Sequence, residues 1–148
     1  MDFSKAPQID LPTHSLFRKL VEEKGFRIVT PENFEETIKQ EGLTLLLFIE
    51  NPNRMKETMD ALVIAPELAD ALPMIENRAV VVPPDARKLA AAYDLKRWPA
   101  FVFLKDGGYL GTVGGLRLWS ELIQESVAIV QSQPKYPPSI GIKVTASR

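Results

Sequence analysis

The stretch "YDLKRWPAFVFLKDGGYLGTVGG", Tyr93 to Gly115, decides how this 148-residue chain is to be folded. Pro99 stands directly before the apolar run Ala100, Phe101, Val102, Phe103 and Leu104. Proline has no N–H to give a sheet ladder, so it belongs at a strand's first residue or at an edge. The run therefore predicts a buried strand opened by Pro99, with Trp98 at its mouth. Lys105 to Gly108 reads as a turn whose glycines permit positive φ, and the chain returns as an antiparallel partner strand.

Upstream of this hairpin, helices and strands alternate. "THSLFRKLVEEKG" puts Leu16, Phe17, Leu20 and Val21 on one helical face before Gly25 stops it. "FRIV" is a short strand. "TPENFEETIKQEG" reads as a helix with Thr30 as N-cap, Pro31 at the first helical position, early acids, and a stop at Gly42. "LTLLLFIE" is almost continuously apolar, as a central strand covered on both faces should be. A loop from Asn51 leads into a helix from about Glu57, which Pro66 should kink or divide. "NRAVVVPP" is another buried strand, and "DARKLAAAYDL" a short helix capped by Asp85. After the hairpin comes the helix "LRLWSELIQESVAIVQS". The order predicts an α/β fold: parallel strands joined by crossover helices, an antiparallel pair at the end, and helices on both faces of one mixed central sheet. Residues 1–12 read as a flexible N-terminal arm, 13–131 as one domain, and 132–148 as a Pro-rich basic tail with "IGIKV" as a candidate added edge strand.

Composition excludes much chemistry. There is no cysteine and one histidine, which removes disulfides, thiolate catalysis, sulfur-built zinc sites and multi-histidine metal centres. Lys+Arg 18 against Asp+Glu 19 leaves a net charge of −1, with no field that would draw nucleic acid or a membrane surface. No window has the apolar length of a transmembrane helix, and "MDFSKAPQIDLPTHS" lacks the features of a signal peptide, so a cytoplasmic location is expected. No paired carboxylates, nucleotide loop or metal cluster supports an enzyme, and no cofactor is expected. His14, flanked by polar residues before the first helix, reads as a surface or capping residue.

This order, with proline opening the final hairpin, resembles the thioredoxin fold. The resemblance implies a cis peptide bond at Trp98–Pro99, and beside it a rim of backbone on which an extended peptide can add main-chain hydrogen bonds. The redox motif of thioredoxins would follow "LTLLLFIE", where this chain reads "NPNRMKE", and their buried acid would fall near Leu47. Without a thiolate there is no exchange chemistry. More closely, "RWPAFVFLKDGGYLGTVGGLRLWSELI" with "NPNRMKE" and "ELADALP" resembles the HyaE family of hydrogenase expression proteins, including HoxO- and HupG-type members, from about Leu16 to Gln131. That resemblance implies a non-enzymatic assembly factor for uptake [NiFe] hydrogenases. Its implied partner is the small-subunit precursor, bound through its twin-arginine signal peptide, with other maturation proteins as further partners. The alternative is a redox-inactive scaffold subunit of a larger assembly.

The residues carrying such a site follow from position. Trp98 and Pro99 form the rim. Asn51, Asn53 and Arg54 follow the carboxyl end of the central strand, where ligands gather in open α/β sheets, although Asn-Pro-Asn also makes a plain turn. Arg54 and Lys56 would repel a twin-arginine peptide unless acids dominate. Glu50, Glu57 and Asp60 are available, and residues 50–70 hold five acids against two bases. Glu32, Glu35 and Glu36 form a second acidic face that also suits a solvated helix start. Met55, Met59 and Met74 suit either an adaptable groove or the core. Trp119 is expected in the core beside Leu122 and Ile123, whereas Trp98 serves either packing or peptide binding.

Overall fold

The computed structural model of the protein describes residues 8–135. Five strands form one sheet in the order β1-β3-β2-β4-β5. They are β1 (Arg27–Val29), β2 (Leu43–Phe48), β3 (Ile75–Val81), β4 (Ala100–Lys105) and β5 (Gly108–Gly114). β3 runs parallel to β1 and β2, β4 antiparallel to β2, and β5 antiparallel to β4. The helices are α1 (Ser15–Glu22), α2 (Phe34–Ile38), α3 (Glu57–Ala71), α4 (Ala86–Ala90) and α5 (Trp119–Val130).

β2 occupies the middle of the sheet, and all six of its residues are buried. Alternate side chains divide between two cores. Leu45 and Leu47 meet α1, α3 and α5, while Leu46 and Phe48 meet α2 and α4. Each such side chain contributes about 1.5–3 kcal/mol by leaving water, so an uninterrupted apolar strand is favoured only where both faces are covered. The hairpin turn has positive φ at Asp106 (51°) and Gly107 (86°), the pattern of a type I′ turn. Asp106 also accepts from Gly42 N–H at 2.7 Å and donates its own N–H to Gly42 at 3.0 Å, which ties the turn to the start of β2.

The structure departs from local expectation in four elements. α2 begins at Phe34, not Pro31, and ends at Ile38, well before Gly42. Thr30 N–H donates to Asn33 Oδ1 at 2.8 Å and Asn33 N–H to Thr30 Oγ1 at 3.3 Å, closing a turn over residues that would otherwise start the helix. α3 runs through the buried Pro66 as one helix of 15 residues, not two pieces. Asp85 precedes α4, but its carboxylate makes no capping bond. α5 begins only at Trp119. His14, by contrast, caps α1: its Nδ1 accepts from Leu16 N–H at 3.1 Å.

At the amino end, residues 8–12 are engaged with the domain. Leu11 is buried, and Ile9 exchanges two hydrogen bonds with the Asn53 amide, at 2.7 and 2.8 Å. At the other end Lys135 N–H donates to Tyr109 C=O at 2.7 Å, an isolated bridge on the outer edge of β5. The rest of the expected arm, residues 1–7, and the "IGIKV" segment lie outside the described residues.

Candidate functional site

The loop before β4 brings Trp98 to the sheet end where β2 terminates. The Trp98–Pro99 bond is cis, as the resemblance implies, and Pro83–Pro84 is a second cis bond. Pro99 C=O accepts from Gly115 N–H at 2.8 Å, which closes the hairpin behind it. One residue earlier the backbone is open. Among the described residues, neither the N–H nor the C=O of Trp98 has a hydrogen-bond partner. The Trp98 ring is half-buried and meets Phe48 edge-on, with centroids 6.1 Å apart. Gly114 and Gly115 let the loop lie this close: a Cβ on Gly114 would stand 3.2 Å from Arg97 Cβ.

Beside Trp98 lies an open groove of about 580 Å³. Its apolar lining comes from Met55, Leu95, Trp98 and Leu116, and its charges from Glu57, Arg87, Lys96 and Arg97. Two of the bases are engaged. Arg87 Nε donates to Glu50 Oε2 at 2.5 Å with its guanidinium 4.9 Å from the Trp98 ring centroid, and Lys96 pairs with Asp94 at 3.2 Å. Glu57 and Arg97 have no ionic partner among the described residues. Of the acids available to offset Arg54 and Lys56, Glu50 is paired with Arg87, which leaves Glu57, with Asp60 one turn further along α3.

The remaining candidates separate from this groove. Asn51 and Asn53 line a different cavity of about 370 Å³, together with Leu11, Ile28 and Pro83. Asn51 Oδ1 accepts from Asn53 N–H at 2.9 Å, and Asn51 C=O accepts from the N–H groups of Arg54 and Met55 at 2.9 Å each. These are the bonds of a self-satisfied polar turn, the plain alternative for Asn-Pro-Asn. Arg54 is exposed and lines neither cavity. Of the second acidic face, Glu35 pairs with Lys39 at 3.2 Å and Glu36 with Arg27 of β1 at 2.8 Å, while Glu32 is exposed. Exposed pairs of this kind are worth about 0.2–1 kcal/mol each, so this face is a solvated one.

Trp119 is not in the core. It is 47% exposed and Leu118 71%, and all of Leu118 to Glu121 lies in solvent. Helical spacing puts Trp119 on the side of Leu122 and Ser126, but among the described residues no element reaches over the first turn of α5. Sequence reasoning missed the apolar Leu95 and Leu116 of the groove wall and, above all, Arg87. Its neighbours in the chain give no hint of Trp98 or Glu50, and only the packing of α4 beside β2 supplies them.

A five-stranded mixed sheet in this order, with a tryptophan–proline rim and no thiol anywhere in the chain, defines a thioredoxin-fold protein without the exchange chemistry of thioredoxins. Solved structures agree on the fold. A poplar thioredoxin h superposes with a TM-score of 0.58 at 19% identity, covering 73% of this chain and 98% of that one. The oxidised thioredoxin of Plasmodium falciparum gives 0.55 at 16%, covering 69% and 98%. The profile of the family described as "Hydrogenase-1 expression protein HyaE" matches residues 16–122, and the chain belongs to that family. It is 27% identical over 129 residues to the hydrogenase expression/formation protein HoxO of Azotobacter vinelandii, covering 87% of this chain and 86% of the relative. It is 29% identical over 122 residues to HupG of Rhodobacter capsulatus, covering 82% and 88%. Among the described residues no helix is long and apolar enough to cross a membrane, and no group of three or more His, Cys, Asp or Glu is placed to hold a metal ion.

Proposed function

We propose that this protein is a non-enzymatic assembly factor in [NiFe] hydrogenase maturation that binds the small-subunit precursor through its twin-arginine signal peptide. The peptide lies extended in the groove beside Trp98. One observation carries this reading: the unpaired N–H and C=O of Trp98 in the wall of an open groove. Main-chain groups left free at a sheet end are what an added strand uses, and Met55, Leu95 and Leu116 offer apolar contacts for alternate side chains. Family membership supports the choice of precursor. Glu57 and Asp60 face the basic part of the peptide, which lies beside Trp98, while its apolar part lies over Leu95 and Leu116. A precursor that still carries its signal peptide has not been exported, so the encounter is cytoplasmic.

The test is copurification and calorimetry with the precursor, with its signal-less form, and with Trp98→Ala. We expect the precursor to bind, removal of the signal peptide to abolish the complex, and Trp98→Ala to weaken it by about tenfold or more, as for a central aromatic anchor. A complex that survives signal removal unchanged would overturn this reading. The exposed Leu118 and Trp119 favour a second one, a scaffold subunit docking through the first turn of α5. Under it, Leu118→Ser with Trp119→Ser abolishes the partner complex and Trp98→Ala does not.

A further inference from the structure

Arg87 sits between two groups that treat it unequally. Its side chain is 62% exposed, while that of Glu50, to which it donates, is 13% exposed. Glu50 Oε1 also accepts from Asn51 N–H at 3.0 Å, so the carboxylate is held in place by the backbone. A shielded carboxylate is costly to leave without a cation. Arg87 itself, mostly in solvent, loses little by moving away. The other contact is the Trp98 ring, 4.9 Å below the guanidinium. An aromatic face beside a fixed carboxylate is the pair of features that recognises a guanidinium, which both stacks and donates through a planar fork; an ammonium does only the second well. There is room for exchange, since Arg87 and Trp98 together border both the groove of about 580 Å³ and a smaller recess of about 270 Å³.

We propose that the Trp98 ring and the Glu50 carboxylate form a guanidinium-binding site, occupied by the chain's own Arg87 in the free protein and taken over by an arginine of the bound peptide. The identity of that peptide rests on the docking reading above; the chemistry of the site does not. The exchange replaces one guanidinium by another, so Glu50 is never left unpaired, and Arg87 swings into the solvent it already touches. Arg87 then acts as an internal competitor that lowers the apparent affinity by the fraction of time the site is free.

The test uses the full chain, a synthetic signal peptide with its two arginines, and the same peptide with two lysines. Arg87→Ala is expected to bind the arginine peptide about 5- to 10-fold more tightly than the unmodified protein does, with a clearly smaller gain for the lysine peptide. Glu50→Gln added to Arg87→Ala should erase that gain. If Arg87→Ala leaves the arginine peptide unchanged, weakens it, or strengthens both peptides equally, the guanidinium site is wrong while peptide docking stands. If neither protein binds either peptide, docking fails, and N-acetyl-arginine amide titrated against Arg87→Ala decides the site alone. A shift of the Trp98 indole N–H resonance that Glu50→Gln removes upholds it, and no shift overturns it.

Discussion

Tyr93 shows what burial does to a single side chain here. Its ring stacks on Tyr109 at 5.6 Å and meets Phe48 edge-on at 6.0 Å, and 5% of the residue is exposed. Burial pushes its hydroxyl from 10.0 up to about 12, helped by the nearby charge of Glu35 and by Tyr109. The folded state therefore prefers the neutral phenol more than the unfolded chain does. Its contribution is fully present below pH 10 and is lost as pH rises towards about 12, a span of two units or roughly 2–3 kcal/mol. Denaturant unfolding at pH 9 and pH 12 should show a steeper loss for the unmodified protein than for Tyr93→Phe; equal slopes would contradict it. Ser126 is a different case. Its hydroxyl, on α5, is buried and has no hydrogen-bond partner among the described residues. Ser126→Ala removes an unsatisfied group and favours the helix, so thermal or denaturant melts should show a gain of about 0.5–1.5 kcal/mol. A loss would mean that the hydroxyl is satisfied after all.

Among the elements, β4 and β5 illustrate how far periodicity reaches. β4 is legible from its apolar run and from Pro99 before it. β5 is less so, because the register slips between Phe103 and Leu104, leaving Leu110 opposite no residue of β4. Leu110 and Val113, three apart, thereby share one core, while Tyr109 belongs to the other. The same strand holds α5 close through Gly111, where a Cβ would stand 3.1 Å from both Cγ atoms of Ile129. Gly111→Ala must displace that side chain, and chemical denaturation should report a loss of about 1–2 kcal/mol; an unchanged midpoint would show α5 to be freely adjustable. α2 and α5 were misread at their starts for opposite reasons. In α2 the side chains of Thr30 and Asn33 compete locally with helix formation. In α5 the helical face is right but nothing among the described residues covers its first turn.

For the whole molecule, retention of the fold without its thiols has a direct consequence. Affinity for a cysteine-free signal peptide should stay within about twofold between thiol and disulfide forms of a redox buffer, because this chain has no thiol to exchange with either. A large redox effect on that peptide would point to another mode of binding. The groove also locates the charge question that the sequence left open. In the free protein Glu50 is paired with Arg87, Asn51 and Asn53 turn towards Ile9 and Leu11, and among the described residues the unpaired charges lining the groove beside Trp98 are Glu57 and Arg97. Ionic strength should therefore weaken binding only modestly, since few exposed charges are involved.

By itself the sequence determined the sheet, because uninterrupted apolar runs such as Leu43–Phe48 can be satisfied only between two covering layers. It also determined the missing thiol chemistry, which is a matter of inventory, and the family, which is a matter of resemblance. Only the tertiary structure decided which residues share a groove. Glu50 lies 37 residues before Arg87, on a different element from either Arg87 or Trp98, and the three meet where β2 ends, α4 begins and the Pro99 rim turns. Local patterns report which way a side chain faces along its own element; they carry no information about what stands opposite, and recognition depends on that.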